Sequence, residues 1–175
     1  MRVLEHRRHS RREPATPHLS PEGVALAHRV ARTIGRFDRV MTSPKPRAVE
    51  TAEALGFTVD ATLPELAEMP DDAGLPVDAL GLHTFADYVR GVVRSRATAE
   101  YARRQAELMH RELQRLPENG RLLFISHGGV IEFGAAAARP QEARTWGNPL
   151  GHLEGVRLFL DRGKWVRGEV LRVVD

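Results

Sequence analysis

Cysteine is absent from the 175 residues, which excludes disulfides, thiol nucleophiles and thiolate metal sites. Lysine is nearly absent too: Lys45 and Lys164 are the only two among 26 basic residues, so almost every cation is a guanidinium. A compositional bias of the genome produces that skew, and so does a need for planar forks that grip phosphate or carboxylate. No stretch approaches the ~18 consecutive apolar residues of a membrane span. The opening MRVLEHRRHSRREP is charged but lacks the following apolar run of a signal peptide. A soluble, cytoplasmic protein is the expectation. Aromatics amount to 6%, yet hydrophobic residues at 42% and charged residues at 28% make a globular composition of one domain's length.

Hydrophobic spacing places the elements. Val3 and Leu4 are the only apolar residues before a cationic stretch, so a first strand is expected to be short and buried around them. Ser20 and Pro21 open a helix with Leu26, Ala27, Val30, Ala31 and Ile34 at helical spacing and Gly35 as its stop. Arg39 to Thr42 reads as a strand running through Ser43-Pro44-Lys45 into a second helix that starts at Pro46 and ends at Gly56. Phe57 to Val59 reads as a further strand, and Leu63 to Gly74 as loop. Thr84 and Asp87 form a capping box ahead of a helix whose Phe85, Tyr88, Val89, Val92 and Val93 share a face. Another helix spans Ala97 to Leu116, with Tyr101, Leu108, Met109, Leu113 and Leu116 inward. After an Asn119-Gly120 turn, Leu122 to Ile125 is a continuous apolar run of buried parallel-strand type. Val130 to Ala138 reads as helix, and Val156 to Leu160 with Trp165 to Val173 as a hairpin. The alternation predicts a single three-layer α/β/α domain over 1–175, with a mostly parallel central sheet and an antiparallel hairpin near the C-terminus.

In such sheets ligands bind beyond the carboxyl ends of the strands, where this chain puts Arg8 to Arg12, Arg47 and His127. The run RRHSRR, residues 7 to 12, reads either as a basic arm, solvated or bound to nucleic acid, or as two guanidinium forks presenting a dianion to His9. Arg47 follows the helix-starting Pro46, an electrostatically unfavourable place for a cation unless an anion joins it. His127 ends the strongest strand, ahead of two glycines that permit close approach.

Together these segments resemble the histidine phosphatase superfamily, which includes phosphoglycerate mutase. Arg8-His9-Ser10 stands for its Arg-His-Gly motif, and Leu19-Ser20-Pro21-Glu22-Gly23 for its Leu-Thr/Ser-x-x-Gly helix start. Ser43-Pro44-Lys45-Pro46-Arg47-Ala48-Val49-Glu50-Thr51-Ala52 matches Ser-Pro-x-x-Arg-Ala-x-x-Thr-Ala, and Ser126-His127-Gly128-Gly129 the late Ser-His-Gly-Gly.

The resemblance implies a phosphoglycerate mutase-like fold with a helical cap over roughly 65–118. It makes His9 the nucleophile, with Arg8, Arg47 and His127 around the transferred phosphate and Arg12 as a further phosphate contact. The acid/base carboxylate is Glu65 of Leu63-Pro64-Glu65, with Glu68 as the fallback. Ser10 replaces the motif glycine, and Ala15 stands where the mutase branch has asparagine. Guanidinium charges beside His9 disfavour its imidazolium, so the nucleophile needs no metal, and no cofactor is implied. The expected activity is hydrolysis of phosphate monoesters on a phosphorylated small molecule or phosphoprotein, through a phosphohistidine, without nucleic acid or membrane as partner. A mutase, a protein phosphohistidine phosphatase and a non-catalytic phospho-ligand module are the alternatives. Arg90, Arg94, Arg96, Tyr101, Arg103 and Arg104 are either further anion contacts or a solvated helix face, and His6 and His18 are expected at the surface or near the site.

Overall fold

Leu122, Leu123, Phe124 and Ile125 are all fully buried because strand β4 (Arg121–Ser126) is covered on both faces. Leu122 and Phe124 point into one apolar cluster, while Leu123 and Ile125 point into another, as the alternation of side chains along a strand requires. The computed structural model describes residues 1–67 and 81–173. Around β4 a six-stranded sheet forms from β1 (Arg2–Arg8), β2 (Arg39–Thr42), β3 (Ala61–Thr62), β5 (Gly155–Asp161) and β6 (Lys164–Leu171), in the order β3-β2-β4-β1-β5-β6. The pairs β3-β2, β2-β4 and β4-β1 are parallel; β5 and β6 are the antiparallel hairpin.

Helices α1 (Pro21–Ala31) and α2 (Pro46–Ala54) supply one cluster. Helices α3 (Phe85–Arg94), α4 (Arg96–Gln114) and α5 (Val130–Ala138) supply the other. A short α6 (Pro140–Ala143), which the sequence pattern did not suggest, follows them. Ser20 caps α1 by accepting from the Gly23 N–H, and Thr84 and Asp87 form the capping box of α3. Tyr101, Leu108, Met109, Leu113 and Leu116 are buried as the periodicity requires.

Four expectations need correction. Strand β1 runs seven residues rather than the short piece around Val3 and Leu4. It buries Glu5, His6 and Arg7 because the Glu5 carboxylate pairs with Arg7, Arg121 and Arg157 at 3.0, 3.3 and 2.8 Å. The edge strand is Ala61–Thr62, not Phe57 to Val59; Phe57 instead meets Phe37 edge to face beside the second cluster. Helix α1 closes at Arg32, before Gly35. Val93 is 76% exposed, since the ninth helical position has rotated off the face that Phe85, Tyr88 and Val89 bury.

Candidate active site

His9, Ser43 and His127 each follow a strand, β1, β2 and β4, and the parallel registers Arg8↔Ser126 and Thr42↔Ile125 bring those three ends level. The His9 N–H extends the ladder by donating to the Ser126 carbonyl at 2.9 Å. Its ring is oriented from both sides. Nδ1 lies 2.6 Å from the Ser10 carbonyl, which can only accept, so Nδ1 carries the proton and Nε2 the lone pair. Arg47 Nε–H donates to that Nε2 at 3.2 Å.

Ser10, the departure from the motif glycine, is fully buried and adds anchors. Its N–H donates to Thr51 Oγ1 at 2.9 Å, Thr51 donates to the Arg47 carbonyl at 2.6 Å, and the Ser10 hydroxyl donates to the Gly23 carbonyl at 2.7 Å. The loop that follows His9 is thereby tied to α2 and α1.

Arg47, in the first turn of α2, is 8% exposed. Arg8 Nη1 donates to the Leu150 carbonyl at 2.7 Å, while its Nε is buried without a partner among the described residues. The guanidinium lies against Gly128, where an added Cβ would come within 3.4 Å of Cζ; close approach is what this glycine provides. Gly129 has φ +85°, a left-handed conformation that lets the chain turn at once into α5. His127 lies with its ring 5.1 Å from that of His9 and its Nε2 2.8 Å from Ser43 Oγ. Arg12 is exposed, reaching the carbonyls of Glu13, Pro14 and Thr16 at 3.3 to 3.5 Å.

Two cavities share Arg8 and His9. One, of about 380 Å³, is completed by Tyr88, His127, Gly128, Gly129, Glu132 and Pro149. The other, of about 530 Å³, is walled by Arg11, Arg12, Arg47 and His152. A larger cavity of about 870 Å³ lies among α3, α4 and α5; of the candidate anion contacts it is lined by Arg103, and by none of the residues predicted around His9. Chemistry rather than size marks the site.

Burial is the largest cause holding His9 down to about 4, with the Arg47 and Arg8 charges adding to it. His127 is held down to about 3 by burial first, then by Arg47 and His9. Both imidazoles are therefore neutral near pH 7. The arginine effect expected from the sequence is present but second to desolvation.

The predicted residues are not all gathered. Glu65 follows β3 in a 3-10 turn, Pro64–Leu66, with its carboxylate half-exposed and 3.7 Å from Arg111 Nη2. It lines neither cavity around His9. It does stand on the right sheet edge, because the Leu63 N–H donates to the carbonyl of Thr42, next to Ser43. Glu68 lies outside the described residues. His6 is not near the surface: it is fully buried, held down to about 3 by desolvation, with Nε2 2.6 Å from Ser126 Oγ. His18 is exposed and bonded to Glu50. Arg90, Arg96 and Arg103 pair with Asp87, Glu100 and Glu107 on their own helices, and Tyr101 is buried, so none of these reaches the His9 cavities.

Two residues were missed. His152 has its ring 5.7 Å from that of His9 and Nδ1 3.2 Å from the His9 carbonyl. Glu132 is a buried carboxylate facing the same space. Neither carries a local signal: His152 sits in a loop, and Glu132 looks like an ordinary first-turn acid. Among the described residues no group of three or more His, Asp or Glu side chains is placed to hold a metal ion, and no helix is long and apolar enough to cross a membrane.

A mostly parallel sheet whose strand ends bring two neutral imidazoles and two arginines together makes an α/β fold with a cationic cleft suited to an anion. Residues 5–167 match the histidine phosphatase superfamily (branch 1), and the chain belongs to that family. Among solved structures it is similar to a phosphoserine phosphatase from Entamoeba histolytica in complex with 3-phosphoglyceric acid (TM-score 0.73, 19% identity, covering 99% of this chain and 98% of that one). A mycobacterial glucosyl-3-phosphoglycerate phosphatase has TM-score 0.70 and 20% identity, with 98% of each chain covered. A phosphoglycerate mutase from Bacillus anthracis has TM-score 0.62 and 13% identity, covering 98% of this chain and 92% of that one. No curated protein sequence matches the chain.

Proposed function

We propose that this protein hydrolyses phosphate monoesters through a phosphohistidine at His9. The observation that carries the reading is the fixed tautomer of His9: Nδ1–H is spent on the Ser10 carbonyl, and the Nε2 lone pair faces a guanidinium N–H. Nε2 attacks phosphorus, the N–P bond forms, and the bond from phosphorus to the leaving oxygen breaks. Arg8, Arg47 and His127 stabilise the equatorial oxygens, which is the protein's main task in phosphoryl transfer, and Arg12 contributes charge from the rim. Glu65 is the group that gives a proton to the leaving oxygen, once its exposed side chain turns from Arg111. Water then attacks phosphorus, its proton returns to Glu65, and the N–P bond breaks to release phosphate.

The substrate class is a phosphorylated small molecule, in keeping with the phosphoserine and phosphoglycerate derivatives named for the structural relatives. The arginine-rich rim of the His9 cleft favours a substrate with charge beyond its phosphate. No metal or cofactor has a role in this scheme. The test is hydrolysis of p-nitrophenyl phosphate in excess chelator by the wild-type chain and by His9→Ala. Turnover is expected in the first and none in the second; equal turnover in both overturns the mechanism.

A further inference from the structure

Among the described residues lining the two cavities around His9, Glu132 is the acidic one, and it is 1% exposed. One of its oxygens makes an ordinary local bond: Gly129 N–H, at the head of α5, donates to Oε2 at 2.7 Å. The other does what a helix cap does not require. Oε1 accepts the N–H of Leu150, eighteen residues away on the loop that precedes β5, at 2.9 Å. Leu150 in turn presents its carbonyl to Arg8 Nη1 at 2.7 Å. One carboxylate thus bridges the loop that carries His127 and the loop that holds Arg8.

Both bonds are best served by the ionised form. A carboxylate has only acceptors, whereas a protonated carboxyl would set an O–H against a backbone N–H. The groups facing it are Arg8 from β1, Tyr88 from α3, and His9 and His127 across the cavity. Burial pushes the Glu132 carboxyl up on balance, against the backbone N–H groups of Leu150, Glu132 and Gly129 and the Arg8 charge, which favour its charged form. The Tyr88 phenol is pushed up by burial and then by the Glu132 charge. Leaving a buried charge without partners is costly, so a carboxylate kept here with both oxygens satisfied constrains each loop it touches.

We infer that Glu132 is a positioning residue of the phosphate site: with its two oxygens it locks the His127-Gly128-Gly129 loop to Leu150 and so fixes Arg8 and His127 around the transferred phosphoryl group. The inference rests on the phosphatase reading for its role in turnover, but the lock itself is read by anion binding alone.

The test is calorimetric titration of the full chain with orthovanadate, beside kcat and KM on p-nitrophenyl phosphate and a thermal melt. Glu132→Gln keeps the shape but has one acceptor oxygen, so its amide N–H₂ faces one of the two backbone N–H groups. Orthovanadate affinity is expected to fall about tenfold or more, the equivalent of one hydrogen bond to a charged group, with kcat/KM falling at least as far. A lower melting temperature with wild-type orthovanadate affinity would show a structural cap and overturn the inference. Should Glu132→Gln not fold, Glu132→Asp keeps the charge and shortens the reach by a methylene. Weakened orthovanadate binding in it supports the lock, and wild-type affinity overturns it. A wild-type chain that binds orthovanadate but turns over no p-nitrophenyl phosphate removes the phosphatase reading while leaving the Glu132 comparison intact.

Discussion

Arg47 Nε–H donates to His9 Nε2 at 3.2 Å, and both side chains are more than nine-tenths buried. The donor occupies the His9 lone pair, so in the proposed reaction substrate binding would replace an imidazole acceptor with phosphate oxygens on the same guanidinium. A lysine supplies the charge but neither the planar fork nor the Nε–H. Arg47→Lys is therefore expected to lower kcat/KM on an aryl phosphate by about 10- to 100-fold, the range of a charged hydrogen bond. Steady-state kinetics checks this, and a change below about threefold would remove Arg47 from the phosphate's ligands.

The covalent intermediate proposed at His9 would have its own signature. A phosphoramidate bond at His9 is labile in acid and persists in base. With labelled substrate quenched during turnover, an alkaline quench is expected to retain label on the protein and an acid quench to lose it, with none in His9→Ala. Label that survives acid and fails in base would place the phosphoryl group on a carboxylate or a hydroxyl instead.

Much of this site was legible because parallel strand ends read directly from sequence. The apolar run of β4 locates His127, and the helix-starting Pro46 locates Arg47; the parallel pairing then brings both beside His9. What stayed hidden depends on distant partners. Glu5, His6 and Arg7 break the apolar pattern of β1, and only Arg121, Arg157 and Ser126 from other strands make their burial possible. His152 and Glu132 face the cleft through loop closure, which no spacing encodes.

Ser10 stands where the motif has glycine, and the structure gives its hydroxyl a buried bond to the Gly23 carbonyl. Ser10→Gly deletes that bond and loosens the backbone beside the nucleophile. A loss of about 1 to 2 kcal/mol in unfolding free energy is expected, with kcat no higher than in the wild type. Urea unfolding with parallel kinetics checks both; a variant that is equally stable and faster would show that serine obstructs the site.

Glu65 is assigned the proton on the leaving oxygen, although its carboxylate is seen beside Arg111. An acid matters most when the departing oxyanion is basic. Glu65→Gln is expected to slow an alkyl phosphate by about 10²- to 10⁴-fold and p-nitrophenyl phosphate far less. Arg111→Ala, which frees the carboxylate to turn, is expected not to impair turnover. Equal losses on both substrates in Glu65→Gln would move the acid elsewhere, with Glu68 the next residue to test.

Three buried imidazoles set the acid limit of the fold. His6, His9 and His127 are held down to about 3, 4 and 3, with desolvation the largest cause in each. In the unfolded chain each titrates near 6.5. Below pH 6.5 the unfolded state takes up protons that the folded state refuses, so stability falls with pH until the folded values are reached. Each group contributes about 1.4 kcal/mol per pH unit in that window, and the three together about 4. A domain of this size has about 5 to 15 kcal/mol in all, so a chain at about 5 to 10 kcal/mol is expected to unfold between about pH 5 and pH 4, taking up about three protons. Urea titrations at pH 7, 6 and 5 measure the slope. A stability that stays flat across that range would mean that burial does not hold these three histidines below their unfolded value.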